Sequence, residues 1–133
     1  MTPDQLKKNM IKAFLLAGLG GMIGSMLRYA VGIGFSKIVK LDFPWGTFTV
    51  NLIGCLLIGL IFGFSEKQNW LNDHWRIFLT IGFCGGFTTF SSFAYENISM
   101  LQHQNYSGFF LYTIGSVLIG LLAVWAGLLI SKI

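Results

Sequence analysis

The sequence predicts an all-α membrane protein of four transmembrane helices, the third broken near its middle. Three observations carry this. The chain of 133 residues is 54% hydrophobic and 11% charged, where a soluble domain of that size would alternate apolar and polar faces. Its apolar residues gather in four long runs, within which Arg28 is the one charge. In the third run, the segment 82–96, GFCGGFTTFSSFAYE, sets a Gly pair and four hydroxyls among phenylalanines. Lipid offers no partner to a freed backbone N–H or C=O, so an interrupted helix at membrane depth needs protein or a watery cavity around it. The segment therefore reads as part of a polar pathway.

The runs fall at 13–35, 45–64, 77–95 and 109–130. Each supplies roughly the 20 residues that cross a ~30 Å hydrocarbon core at about 1.5 Å per residue. The links are short and carry most of the charges, so residues 1–133 make a single four-helix transmembrane domain. Lys7, Lys8 and Lys12 resemble the basic start of a signal peptide, but three more spans follow, and no cleavage is expected. The first 10 residues, polar and charged, read as a disordered start without function. Trp45, Trp70, Trp75, Tyr95 and Tyr106 stand near span ends, where amphipathic rings anchor at the interface.

An even number of spans puts both termini on one side, with Lys7, Lys8, Lys12, Lys67, Arg76 and Lys132. The other side has Lys37 and Lys40, plus Arg28 if it snorkels there. This mild excess favours cytoplasmic termini but is too small to impose one orientation. The net charge of +4 belongs to these helix flanks, and without a basic stripe no nucleic-acid partner is expected. Cys55 and Cys84 lie in spans without metal-ligand spacing and read as small buried residues; His74 and His103 stand alone in links. No nucleophile has a base and carboxylate at a recognisable spacing. The acids are only Asp4, Asp42, Glu66, Asp73 and Glu96, so an enzyme is not expected.

Gly20/Gly24, Gly59/Gly63 and Gly82/Gly86 have the spacing that lets membrane helices approach closely. Polar groups inside the spans are costly there and mark a path or a partner. They are Thr47, Thr49 and Asn51; Thr80, Thr88, Thr89, Ser91 and Ser92; and Tyr112, Thr113 and Ser116. Thr47 with Asn51, and Tyr112 with Ser116, share helix faces. A lone Ser or Thr can bond back to its own helix, but the Asn51 amide needs outside partners. These donors, with Glu96 expected near a helix end as the one acid, suit an anion better than a cation. Phe87, Phe90 and Phe93 recur every three residues as one aromatic strip. Its ring edges carry positive quadrupole, although core packing is the commoner meaning of that spacing.

GGFTTFSSF, with GTFTVNLIGC at 46–55 and GGMIGSMLRY at 20–29, closely resembles the Fluc (CrcB) fluoride channel family. The resemblance covers three spans by motif and the whole chain by length. It implies a homodimer of subunits inserted antiparallel, in dual topology, with two fluoride pores along their interface in a bacterial inner membrane. By the family pattern Phe90 and Phe93 would contact fluoride and Asn51 would donate to it. Thr47, Thr88, Thr89, Ser91 and Ser92 would add hydroxyls, and Tyr112 and Ser116 would continue a polar track. Gly120 falls where relatives carry another hydroxyl. Arg28 would sit near a vestibule and Glu96 near an opening, while the carbonyls of Gly85 and Thr88, with their symmetry mates, would hold a structural sodium. The chemistry is coherent, because neutral donors balance the capture and release of a strongly hydrated anion better than fixed lysines. The alternatives are a proton-coupled multidrug exporter, which needs a mid-membrane carboxylate, and an assembly subunit, which leaves Asn51 and the hydroxyl cluster unexplained.

Overall fold

The computed structural model describes residues 2–38, 43–68 and 72–133; Lys40, Asp42 and Trp70 lie outside them. Helix α1 spans Pro3–Ile38, α2 Trp45–Gln68, α3 Asp73–Arg76, α4 Gly85–Phe87, α5 Phe90–Gln102 and α6 Tyr106–Ile130, with a π-helical stretch Ile77–Cys84 between α3 and α4. Four helices are long and apolar enough to cross a membrane, the third being the compound span Asp73–Gln102. The protein is a multi-pass membrane protein.

The start of the chain is helical rather than disordered. Thr2 and Gln5 form a reciprocal capping box: the Gln5 N–H donates to Thr2 Oγ1 (3.4 Å) and the Thr2 N–H to Gln5 Oε1 (3.0 Å). Pro3 and Asp4 then occupy the first turn, where a missing N–H is harmless and a negative charge meets the positive helix end. At 36 residues α1 is ~54 Å long, well beyond one hydrocarbon thickness.

The third span bends where its sequence changes from glycine to threonine. Gly85 and Gly86 are themselves helical, and the extended residues are the next two, Thr88 (φ −82°, ψ 162°) and Thr89 (φ −151°, ψ 124°). The β-branched threonines are at ease in extended backbone, and Thr89 restarts the helix as N-cap, its side chain accepting from the Ser92 N–H at 3.2 Å. The glycines serve packing instead. A Cβ on Gly82 would lie 2.9 Å from Gly20 Cα, and one on Gly86 would lie 2.8 Å from Gly21 Cα. Backbone thus meets backbone along α1 and residues 77–87, as small-residue seams allow.

A second seam joins α2 to α6, where a Cβ on Gly59 would fall 3.1 Å from Gly127 Cα and one on Gly63 would meet the Ser131 hydroxyl. Buried apolar side chains are few, among them Val50, Cys84, Phe87, Met100 and Tyr112, while Phe14, Met26, Ile81, Phe90 and Leu121 face outward. Such outward faces belong to a chain surrounded by lipid or by another chain rather than by water.

Candidate functional site

The site is organised by the extended pair Thr88–Thr89. Asn51, on α2, faces the Thr89 backbone and pairs with both its N–H and its C=O: Thr89 N–H donates to Asn51 Oδ1 at 2.8 Å, and Asn51 Nδ2 donates to Thr89 O at 3.0 Å. The amide thereby gives the Thr89 N–H the acceptor that a continuous helix would have supplied, in a place where lipid could not. Gly54, one turn on, lets α2 approach, since the Thr88 methyl occupies the space a Cβ there would need. The Thr88 hydroxyl donates back to Cys84 O at 2.9 Å. Thr89 Oγ1 lies 3.3 Å from Ser91 Oγ and donates to Ser92 Oγ at 3.2 Å, so three hydroxyls gather at the start of α5.

This arrangement redirects two carbonyls. In an uninterrupted helix Gly85 O would accept from the Thr89 N–H and Thr88 O from the Ser92 N–H. The first donor is instead engaged by Asn51 and the second by Thr89 Oγ1. Both are hard oxygens of the kind that ligate hard cations. Among the described residues no three His, Cys, Asp or Glu side chains converge on a metal position, and Cys55 and Cys84 are free thiols.

A second cluster lies deeper in α5. Glu96 is seven residues into α5 and six before its end rather than near a helix terminus. Thr47 Oγ1 donates to its Oε1 at 2.6 Å and the Tyr112 hydroxyl to its Oε2 at 2.7 Å, joining α2, α5 and α6. Tyr112 is fully buried, so its hydroxyl serves Glu96. Beside it Thr113 Oγ1 donates to Asn97 Oδ1 at 2.7 Å, and Asn97 Nδ2 to Phe93 O at 2.9 Å. Asn97 escaped the sequence reading because it falls just past the expected end of the third span; an asparagine flanking an apolar run was the available signal. The other member of the expected track, Ser116, has a hydroxyl screened from solvent and without a partner among the described residues.

The aromatic strip is not continuous. Phe87 precedes the extended pair and is buried, 6% exposed, stacking on Phe83 with centroids 5.7 Å apart. Phe90 and Phe93 follow it, 6.0 Å apart, with Phe90 79% exposed and Phe93 against Tyr112 at 5.0 Å. Two extended residues advance the chain without the helical rotation, so a repeat of three in sequence does not keep one face. Phe90 and Phe93 line an open groove of about 360 Å³ with Asn51, Cys55, Thr88 and Ser116. Arg28 lines a separate cleft of about 470 Å³ with Ser25, Thr47 and Ser92. Thr89 borders both spaces, so the Asn51–Thr89 pair stands between them.

Comparison with known proteins bears on this geometry. The family described as "CrcB-like protein, Camphor Resistance (CrcB)" matches residues 15–128. A protein of Flavobacterium psychrophilum named fluoride-specific ion channel FluC is 48% identical over 122 residues, 92% of this chain and 98% of its own length. Proteins of the same name from Phocaeicola vulgatus and Caulobacter vibrioides are 45% identical over 92% of this chain and 41% over 89%, covering 100% and 94% of those relatives. These relatives are ion channels, not enzymes. With the match spanning all four apolar helices, the chain belongs to the CrcB family.

Proposed function

We propose that the chain is the subunit of a fluoride channel, through which the anion leaves the cytoplasm down its gradient. The observation that carries this is the pair of extended residues Thr88 and Thr89 at the bend of the third span, braced by Asn51 and surrounded by hydroxyls, ring edges and the positive start of α5. Neutral donors replace the hydration of a small anion without trapping it. The name shared by the relatives supplies the ion. External HF crosses lipid uncharged and dissociates inside, so a passive pore in the inner membrane suffices to lower internal fluoride.

The working unit we propose is an antiparallel dimer with two pores. The groove beside Phe90 and Phe93 is open along one side, and a second copy would close it. Arg28 then lines a vestibule, while Thr47, Glu96 and Tyr112 form a polar network beside the path. The carbonyls of Gly85 and Thr88, relieved of their helical donors, fit a structural sodium, with further oxygens from the second copy. Such an ion supplies fixed positive charge at the dimer centre.

Glu96, a carboxylate inside a span, is the observation that favours a proton-coupled exporter. Both of its oxygens are already engaged by Thr47 and Tyr112, which leaves it poorly placed to bind a cargo. Efflux from liposomes carrying the purified protein decides the matter. Rapid fluoride release with chloride retained, and no need for a pH gradient, is expected; chloride loss at a comparable rate, or dependence on a pH gradient, would refute the channel.

A further inference from the structure

Between α2 and α6 lies a small, partly open pocket of about 20 Å³, lined by Phe48, Asn51, Leu52, Cys55, Ser116 and Gly120. Its size suits one water molecule or one ion of similar radius. Its walls are mostly apolar, with three residues that carry a group able to donate. The Ser116 hydroxyl, closed off from solvent, has no partner among the described residues. Asn51 has a second amide N–H beyond the one given to Thr89. The third is Cys55, whose thiol faces Gly120: a Cβ at Gly120 would lie 3.5 Å from Cys55 Sγ, in ordinary contact. The absence of a side chain at 120 therefore leaves room that the thiol borders. Cys55 also lines the open groove with Phe90 and Phe93, so it stands where pocket and groove meet.

We propose that Cys55 is a working donor of the anion path, its S–H bordering the space that glycine at 120 leaves open. A thiol is a weak donor with a polarisable sulfur. Beside a bare hydroxyl it completes a neutral shell for a small acceptor, where an apolar residue would leave the Ser116 hydroxyl and the ion facing hydrocarbon. This rests on the fluoride-channel reading above, and it reassigns Cys55 from a small packing residue to one that sets how well the pore holds fluoride.

The test is fluoride efflux from liposomes containing the full-length wild-type protein, Cys55→Ala, Cys55→Ser and the double variant Cys55→Ala/Gly120→Ser, each checked for unchanged elution and thermal stability. Loss of one modest donor should slow Cys55→Ala by about fivefold. Cys55→Ser, which keeps a donor, should conduct within about twofold of wild type, and a hydroxyl offered from position 120 should restore the double variant to a similar level. A merely structural thiol would not be rescued from the opposite helix. Wild-type conduction by Cys55→Ala, or equal loss in Cys55→Ala and Cys55→Ser, overturns the role of Cys55 and leaves the channel reading intact. Failure of the wild type itself to pass fluoride overturns the channel reading. Should Cys55→Ala fail to fold, Cys55→Ser alone decides, since a fall beyond about fivefold is incompatible with an exchangeable donor.

Discussion

Replacing Asn51 tests both halves of its pairing with Thr89. In Asn51→Ala, the Thr89 N–H and C=O lose the partners now at 2.8 and 3.0 Å. The Thr89 C=O still accepts within α5 as its N-cap carbonyl, but the buried N–H is left unpaired, so the variant should lose about 1–3 kcal/mol of stability. In Asn51→Asp the oxygen that accepts from Thr89 N–H remains, but a second carboxylate oxygen replaces Nδ2 opposite the Thr89 carbonyl. Stability should then fall by about 1–3 kcal/mol. Conduction should separate the two variants. A full negative charge roughly 4 Å from a passing anion raises its energy by about 4 kcal/mol at an effective dielectric constant near 20, which slows passage about a thousandfold. Denaturant titration in detergent and fluoride efflux from liposomes read the two effects separately. Folded Asn51→Asp conducting within about tenfold of wild type would remove Asn51 from the ion path. Asn51→Ala losing less than about 1 kcal/mol would show that the amide does not brace the extended pair.

Three further outcomes are expected. Gly24→Ala places a methyl 2.7 Å from Phe87 N and against the Phe83 carbonyl, so it should lose about 1–3 kcal/mol in the same titration. Gly18→Ala, with nothing within 4 Å, should be neutral or gain up to about 1 kcal/mol; equal behaviour of the two would contradict the α1 seam. Phe90→Ile and Phe93→Ile should lose efflux steeply, with Phe90→Ile, 79% exposed, scarcely affected in stability, whereas buried Phe87→Ile should lose about 1 kcal/mol or more and still conduct; mild and equal effects on efflux would sink the role of the ring edges. A cysteine at exposed His103, in the α5–α6 turn, should be labelled by an impermeant thiol reagent from both sides of the membrane, and labelling from one side alone would exclude antiparallel insertion.

Span number, helical class and the polar residues of the spans were legible in the chain because they follow from local quantities: apolar run length, charge, and the chemistry of each side chain. The glycine spacings announced close approach for the same reason, since a missing Cβ has that effect wherever the helix goes. Even the ordered start was written there, in Thr2, Pro3 and Gln5, although charge alone argued for disorder. What only tertiary structure decided is which group each polar atom meets. Asn51 had to find partners, but that they are the N–H and C=O of Thr89 depends on Gly54 bringing α2 against the extended pair. Glu96 acquired Thr47 and Tyr112 from two other helices, residues 49 and 16 positions away. The phase of the phenylalanines was lost in the same way: spacing predicts a face only while the helix continues, and the two extended threonines put Phe87 in the core and Phe90 on the surface.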